Sequence, residues 1–96
     1  MPQSNVTFVM IARIPPEGVA SFAAYESHVL PLLAEHGGAL QRRLRSADGL
    51  VEVHVVSFPS PLAFANFRED PRRAAHAPEL AASGARIELL QLEDVV

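Results

Sequence analysis

Hydrophobic and polar positions alternate in a way that predicts six elements. Residues Val6 to Ile14 are apolar on both faces apart from Arg13, as in a central strand covered on both sides. Pro15 and Pro16 stop it. From Val19 to His36 the pattern becomes helical. Val19, Phe22, Val29 and Leu33 form a stripe, Tyr25, Leu30 and Leu32 edge it, and Glu26 projects near it. Pro31 lies on the opposite side and is expected to kink the helix rather than end it. Gly37-Gly38 ends it, the first glycine as a left-handed cap. Ala39 to Arg45 reads as a polar edge strand.

Leu50 to Phe58 is the strand around which the rest is arranged. Val51, Val53 and Val55 share one face; Glu52, His54, Val56 and Phe58 share the other. The wholly apolar face is the one expected under helices. Asp48-Gly49 signals a two-residue hairpin turn, with Ala47 paired to Leu50. That register sets Arg45 against Glu52, Arg43 against His54 and Leu44 against Val53, so polar meets polar and apolar meets apolar. Pro59 ends the strand, and Ser60-Pro61 starts a helix running to about Glu69. Asp70-Pro71 starts another piece, Pro78 interrupts it, and Ser83-Gly84 closes it. Arg86 to Val95 is the last strand.

The order strand, helix, strand, strand, helix, strand predicts an α+β, ferredoxin-like βαββαβ domain over residues 1–96. Its four-stranded antiparallel sheet carries the helices on one face, with the first and third strands central. Val51, Val53, Val55, Phe22, Val29, Leu33, Phe64 and Phe67 are the expected helix–sheet core. Two helices cover one face only, so the other is expected to pack on a second copy, giving a homodimer.

Composition narrows the function classes. Apolar residues make up 49% of the chain, which argues for a packed globule. All eight basic residues are arginine, so a lysine Schiff base is excluded. The net charge of −3 and the lack of a basic run argue against nucleic acid. Cysteine is absent, which removes disulfides and thiol chemistry and suits a cytoplasmic protein. Val6 to Ile14 is too short to span a bilayer, and no basic region leads into it, so no membrane role is expected.

The βαββαβ order, the His36-Gly37-Gly38 turn, the Phe58-Pro59-Ser60 corner and the Asp70-Pro71 that follows Phe67 resemble the dimeric α+β barrel superfamily. The likeness covers nearly the whole chain and points to small members related to antibiotic-biosynthesis-type monooxygenases. The superfamily also holds haem-degrading enzymes, lactone isomerases and members without known activity. The resemblance implies a ligand cavity between sheet and helices, and cofactor-free oxygenation or isomerisation of a small hydrophobic or aromatic molecule. The chain has no Trp and no match to the Asn-Trp-His constellation of the haem-degrading branch. His36 stands where related sequences often carry Tyr.

The candidate catalytic residues are His54 and Arg43. A neutral His54 could take a proton from an acidic substrate while Arg43 holds the anion. Glu52 beside them, and Arg13, Tyr25, Glu26 and Asn66 elsewhere, are candidate ligand-binding residues. A carboxylate near an apolar stripe, as at Glu26, can act as a base if burial raises its pKa. The alternative is a non-catalytic ligand-binding or structural dimer. His54, Arg43 and Glu52 would then form a polar patch with an Arg45–Glu52 cross-strand pair. No metal is expected, because His28 and His36 are eight residues apart and no compact carboxylate–histidine motif joins His76 to them. Ser60 reads as a cap, since nothing like G-x-S-x-G surrounds it. No cofactor motif is found.

Overall fold

The computed structural model describes residues 5–95. Strands β1 (Val6–Arg13), β2 (Ala39–Arg45), β3 (Val51–Phe58) and β4 (Arg86–Leu92) form one antiparallel sheet in the order β2-β3-β1-β4. The central position of β1 and β3 follows from their apolar composition. Between the strands lie α1 (Val19–Val29), α2 (Leu32–Glu35), α3 (Pro61–Arg68), α4 (Pro71–Ala75) and α5 (Ala77–Ser83), with a 3-10 turn at Pro16–Gly18.

Local chemistry fixes most of the boundaries. The Ser60 hydroxyl accepts from the Ala63 N–H at 3.1 Å, capping α3 ahead of Pro61. Asp70 does the same for α4, accepting from the Arg72 N–H at 2.8 Å. Gly37 follows the last turn of α2 with φ +72°, a left-handed geometry that costs other residues strain. Gly18 is fixed by close approach, because a Cβ there would lie 1.8 Å from the Ser83 carbonyl oxygen at the end of α5.

Three expectations change. Pro31 divides the long helix into α1 and α2 instead of only kinking it: Leu30 N–H still reaches Glu26 O, but proline has no N–H to continue the ladder. The hairpin keeps its register, Arg45 on Glu52, Arg43 on His54 and Leu44 on Val53, but its turn is wider than two residues. Gly49 N–H bonds to Ser46 O and the Ser46 hydroxyl accepts from the Val51 N–H, so Ala47 and Leu50 are not paired in the ladder. The ladder shifts again between Leu40 and Arg42.

The third change inverts β3. Glu52, His54, Val56 and Phe58 face the helices and are 2, 3, 9 and 1% exposed. Val51, Val53 and Val55 lie on the opposite face, only half-buried, so they do not belong to the helix–sheet core. The other expected core residues are in place. Phe22, Val29, Leu33 and Phe67 are buried, and Phe64 packs on the cluster with its ring centroid 3.8 Å from that of Phe8. The mixed face can go inward because its polar groups find partners there. The apolar face stays open: Ile11 and Leu44 flank Val53 on neighbouring strands, and Val9 and Leu90 continue the patch beside Val55.

Candidate functional site

Polar residues on the inner face of β3 meet α1 beneath the helices. α1 buries Phe22, Tyr25, Glu26 and Val29, the spacing of one helical face. Glu26 is therefore carried inward with the apolar stripe and is 5% exposed. It comes to rest over His54, whose Nδ1 lies 3.5 Å from Glu26 Oε2.

The other side of His54 is firmly held. His54 Nε2 lies 2.7 Å from Glu52 Oε1. That oxygen also accepts from Arg43 Nε at 2.6 Å, and Oε2 accepts from Arg45 Nε and Nη2 at 3.2 and 3.1 Å. Burial pushes the Glu52 carboxyl up, but the bonds from His54, Arg43 and Arg45 outweigh it and hold the group below the ordinary carboxylate value. An ionised Glu52 can only accept, so the neutral imidazole donates through Nε2 and presents its lone pair at Nδ1. Burial lowers the His54 pKa, with the Glu52 bond opposing it, so the ring is held neutral.

Glu26 behaves in the opposite way. Burial first, then the charge of Glu52, raise its pKa from 4.5 to about 7, against the pull of Arg43 and Arg73. Its Oε2 is buried with no hydrogen-bond partner among the described residues. Glu26 and His54 both line a cavity of about 160 Å3 between sheet and helices. Its walls include Val29, Leu33, Val56, Phe58, Phe67 and Leu89. The arrangement is a tethered imidazole and an unpartnered carboxyl at an apolar pocket, suited to taking and holding a proton.

The remaining candidates are distributed differently. Arg43 is spent on Glu52 and does not line the cavity, so it is not placed to meet an anion there. Tyr25 is buried and its hydroxyl accepts from Arg73 Nη2 at 3.0 Å. Arg13 lies on the open face of the sheet beside Glu88, 3.4 Å away, and Asn66 is exposed on α3; neither reaches the cavity. Arg73 is a cavity residue that sequence reasoning passes over. It sits in an Ala-rich stretch with no motif, and only the packing of α4 reveals it.

Two groups have metal-ligand atoms close together. Glu26, Glu52 and His54 form one, but Arg43 and Arg45 already supply the cationic partners of Glu52. His28, His76 and Glu79 form the other on the surface. There the two imidazoles stack, 4.1 Å apart and 8° from parallel, so their in-plane lone pairs run side by side instead of converging on one ion. His36 is structural: its Nε2 lies 2.8 Å from Asp70 Oδ2, tying α2 to the cap of α4.

No family model and no curated protein matches the chain. Solved structures do. SnoaB, a cofactor-independent oxygenase from Streptomyces nogalater, superposes with TM-score 0.73 at 22% identity over 96% of each chain. The fold is that of the antibiotic-biosynthesis-monooxygenase-like proteins. Rv0793 from Mycobacterium tuberculosis matches with TM-score 0.69 at 21% identity, covering 96% of this chain and 98% of that one. A candidate antibiotic biosynthesis monooxygenase from Caulobacter crescentus matches with TM-score 0.75 at 15% identity, covering 96% and 92%. At these identities the monooxygenase-like fold is what is shared. Among the described residues, no helix is long and apolar enough to cross a membrane.

Proposed function

We propose that the protein is a small cofactor-free enzyme that removes a proton from an apolar, ring-containing substrate, as an oxygenase or an isomerase. One observation carries this reading: Glu26, 5% exposed and with Oε2 unpartnered, stands beside a neutral, oriented His54 at the wall of an apolar cavity. Both reactions begin with the same step. A C–H or O–H bond of the substrate breaks, its proton passes to the Glu26–His54 pair, and the electron pair stays on the substrate as an enolate or phenolate. In an isomerase the proton returns at another carbon. In an oxygenase the carbanion gives electrons to dioxygen, the second substrate, one oxygen bonding to carbon and the other taking the abstracted proton to give a hydroperoxide, which loses water to leave a carbonyl. SnoaB, described as a cofactor-independent oxygenase, supports the second branch by likeness of fold.

The working unit in this reading is a homodimer joined through the open sheet face. Leu44, Leu90 and Leu92 are 42, 38 and 46% exposed there, beside half-buried Val9, Ile11 and Val53. The cysteine-free composition fits a cytoplasmic location.

The shared proton step gives the test. Deuterium exchange from D2O into a cyclic ketone or hydroxyarene with an acidic C–H is followed without oxygen. The wild-type protein is expected to accelerate exchange, and Glu26→Gln to lose about a hundredfold of that acceleration. Exchange that persists undiminished in both Glu26→Gln and His54→Gln would exclude this pair as the base.

A further inference from the structure

Among the described residues, two buried side-chain polar atoms have no hydrogen-bond partner: Glu26 Oε2 and Arg73 Nε. Both residues line the same cavity. One atom is an acceptor when ionised and the other an obligate donor, and buried orphans of either kind are costly. A ligand in this pocket whose polar edge reached both atoms would satisfy them.

The surroundings of Arg73 decide what it would read. Its two terminal nitrogens are engaged, Nη2 donating to the Tyr25 hydroxyl at 3.0 Å and Nη1 to the Arg68 carbonyl at 3.1 Å. Its guanidinium lies 4.8 Å from the centroid of the Phe67 ring. The side chain is thus held in one pose, with Nε left over. No carboxylate among the described residues forms an ion pair with Arg73 or with its neighbour Arg68, which also lines the cavity. Arg13, Arg43, Arg45 and Arg72 have carboxylate partners; Arg42 and Arg86 form none among the described residues either, but they do not line this cavity. The charge of Arg73 is nevertheless felt at Glu26, whose proton affinity it lowers.

We propose that Arg73 is the anion-recognising residue of this cavity, donating through Nε to an oxygen of the ligand that is anionic on binding or becomes so when a proton is lost. The ligand class is a single apolar ring bearing an oxyanion next to a hydrogen-bond donor. The donor faces Glu26 and the oxyanion faces Arg73. The size agrees: a cavity of about 150 Å3 holds one benzene ring, and this one measures about 160 Å3. The assignment rests on the cavity being the ligand site, but not on which group is the base.

Salicylate, a hydroxyl beside a carboxylate on one ring, is the anionic probe, and salicylamide its neutral counterpart. Binding is measured by calorimetry on the intact protein, with folding of each variant checked by circular dichroism. Wild type is expected to bind salicylate saturably in the millimolar range or below. Arg73→Met should weaken it about ten- to a hundredfold, the loss expected for a hydrogen bond to a charged group. Arg73→Lys, which keeps the charge but loses the Nε donor and the fork held by Tyr25 and Arg68, should weaken it less than Arg73→Met does, and Tyr25→Phe should change it by less than about threefold. Salicylamide should bind wild type and Arg73→Met alike. If Arg73→Met does not fold, Arg73→Gln, uncharged but still able to bond Tyr25, takes its place with the same expectation. Salicylate that fails to saturate wild type, binds the neutral variants as well as wild type, or loses no more than salicylamide does, overturns the assignment. Loss of proton exchange in Glu26→Gln with salicylate binding independent of Arg73 would overturn this inference and leave the proposed reaction standing.

Discussion

At Glu26 a single carboxyl group sets opposite demands on folding and chemistry. Held protonated up to about pH 7 by burial, it binds a proton in the folded chain where the unfolded chain has released it. Between the unfolded value of 4.5 and about 7, folding stability therefore falls as pH rises, because the native state binds more protons. Glu26→Gln should remove that slope, raising stability by roughly 2–3 kcal/mol at pH 8 and changing little at pH 4. Paired urea melts at the two pH values check this; equal effects at both would show that Glu26 ionises normally. Glu52 has the reverse sign. Its lowered pKa stabilises the fold above the ordinary carboxylate range, and that contribution is lost as pH falls through the depressed value. Glu52→Gln is expected to cost about 1–3 kcal/mol at neutral pH and to free the His54 ring from its fixed tautomer. The accompanying loss of activity should then exceed that of Arg43→Gln, because Arg45 still holds the carboxylate when Arg43 is gone. These residues were legible in the sequence as types in a pattern. The Arg45–Glu52 pair followed from the hairpin register; the meeting of Glu26 with His54 did not, since a pairing between α1 and β3 depends on helix rotation that no local signal sets.

The elements were legible wherever the chain carries its own punctuation. Ser60-Pro61, Asp70-Pro71, Gly37 and Ser83-Gly84 each mark a boundary through a hydrogen bond or a backbone conformation. Losing the cap in Ser60→Ala should cost about 1 kcal/mol in thermal or urea unfolding. Gly18→Ala should cost at least as much, since the added carbon would meet the Ser83 carbonyl and force α5 away from the 3-10 turn. The inward face of β3 was not legible. Hydrophobicity alone ranks Val51, Val53 and Val55 ahead of Glu52 and His54, and that ranking holds only if one face is buried. Here both are in demand. The mixed face goes under the helices because Arg43 and Arg45 satisfy Glu52, and the apolar face is left for another surface.

On the scale of the molecule, the inversion of β3 divides the sheet between two tasks. The inner face, with its carboxyl, imidazole and cavity, is the one that would carry the proposed reaction. The outer face, centred on Val53 with Ile11 and Leu44 beside it, is the associative one in the proposed homodimer. Val53→Glu should place a charge at the middle of that interface and leave the inner face untouched. Light scattering is expected to give twice the 10.4 kDa chain mass for wild type and a monomer for the variant. A wild-type monomer would rule out the proposed dimer. The proposed base requires Glu26 to titrate near neutrality inside the fold, and that is measured directly by following its side-chain carboxyl carbon by NMR as pH is raised. The predicted midpoint is about 7, moving lower in Glu52→Gln, where the neighbouring negative charge is gone. A midpoint at or below the ordinary 4.5 would mean an ionised, solvated or paired carboxylate, and would contradict the proposed base.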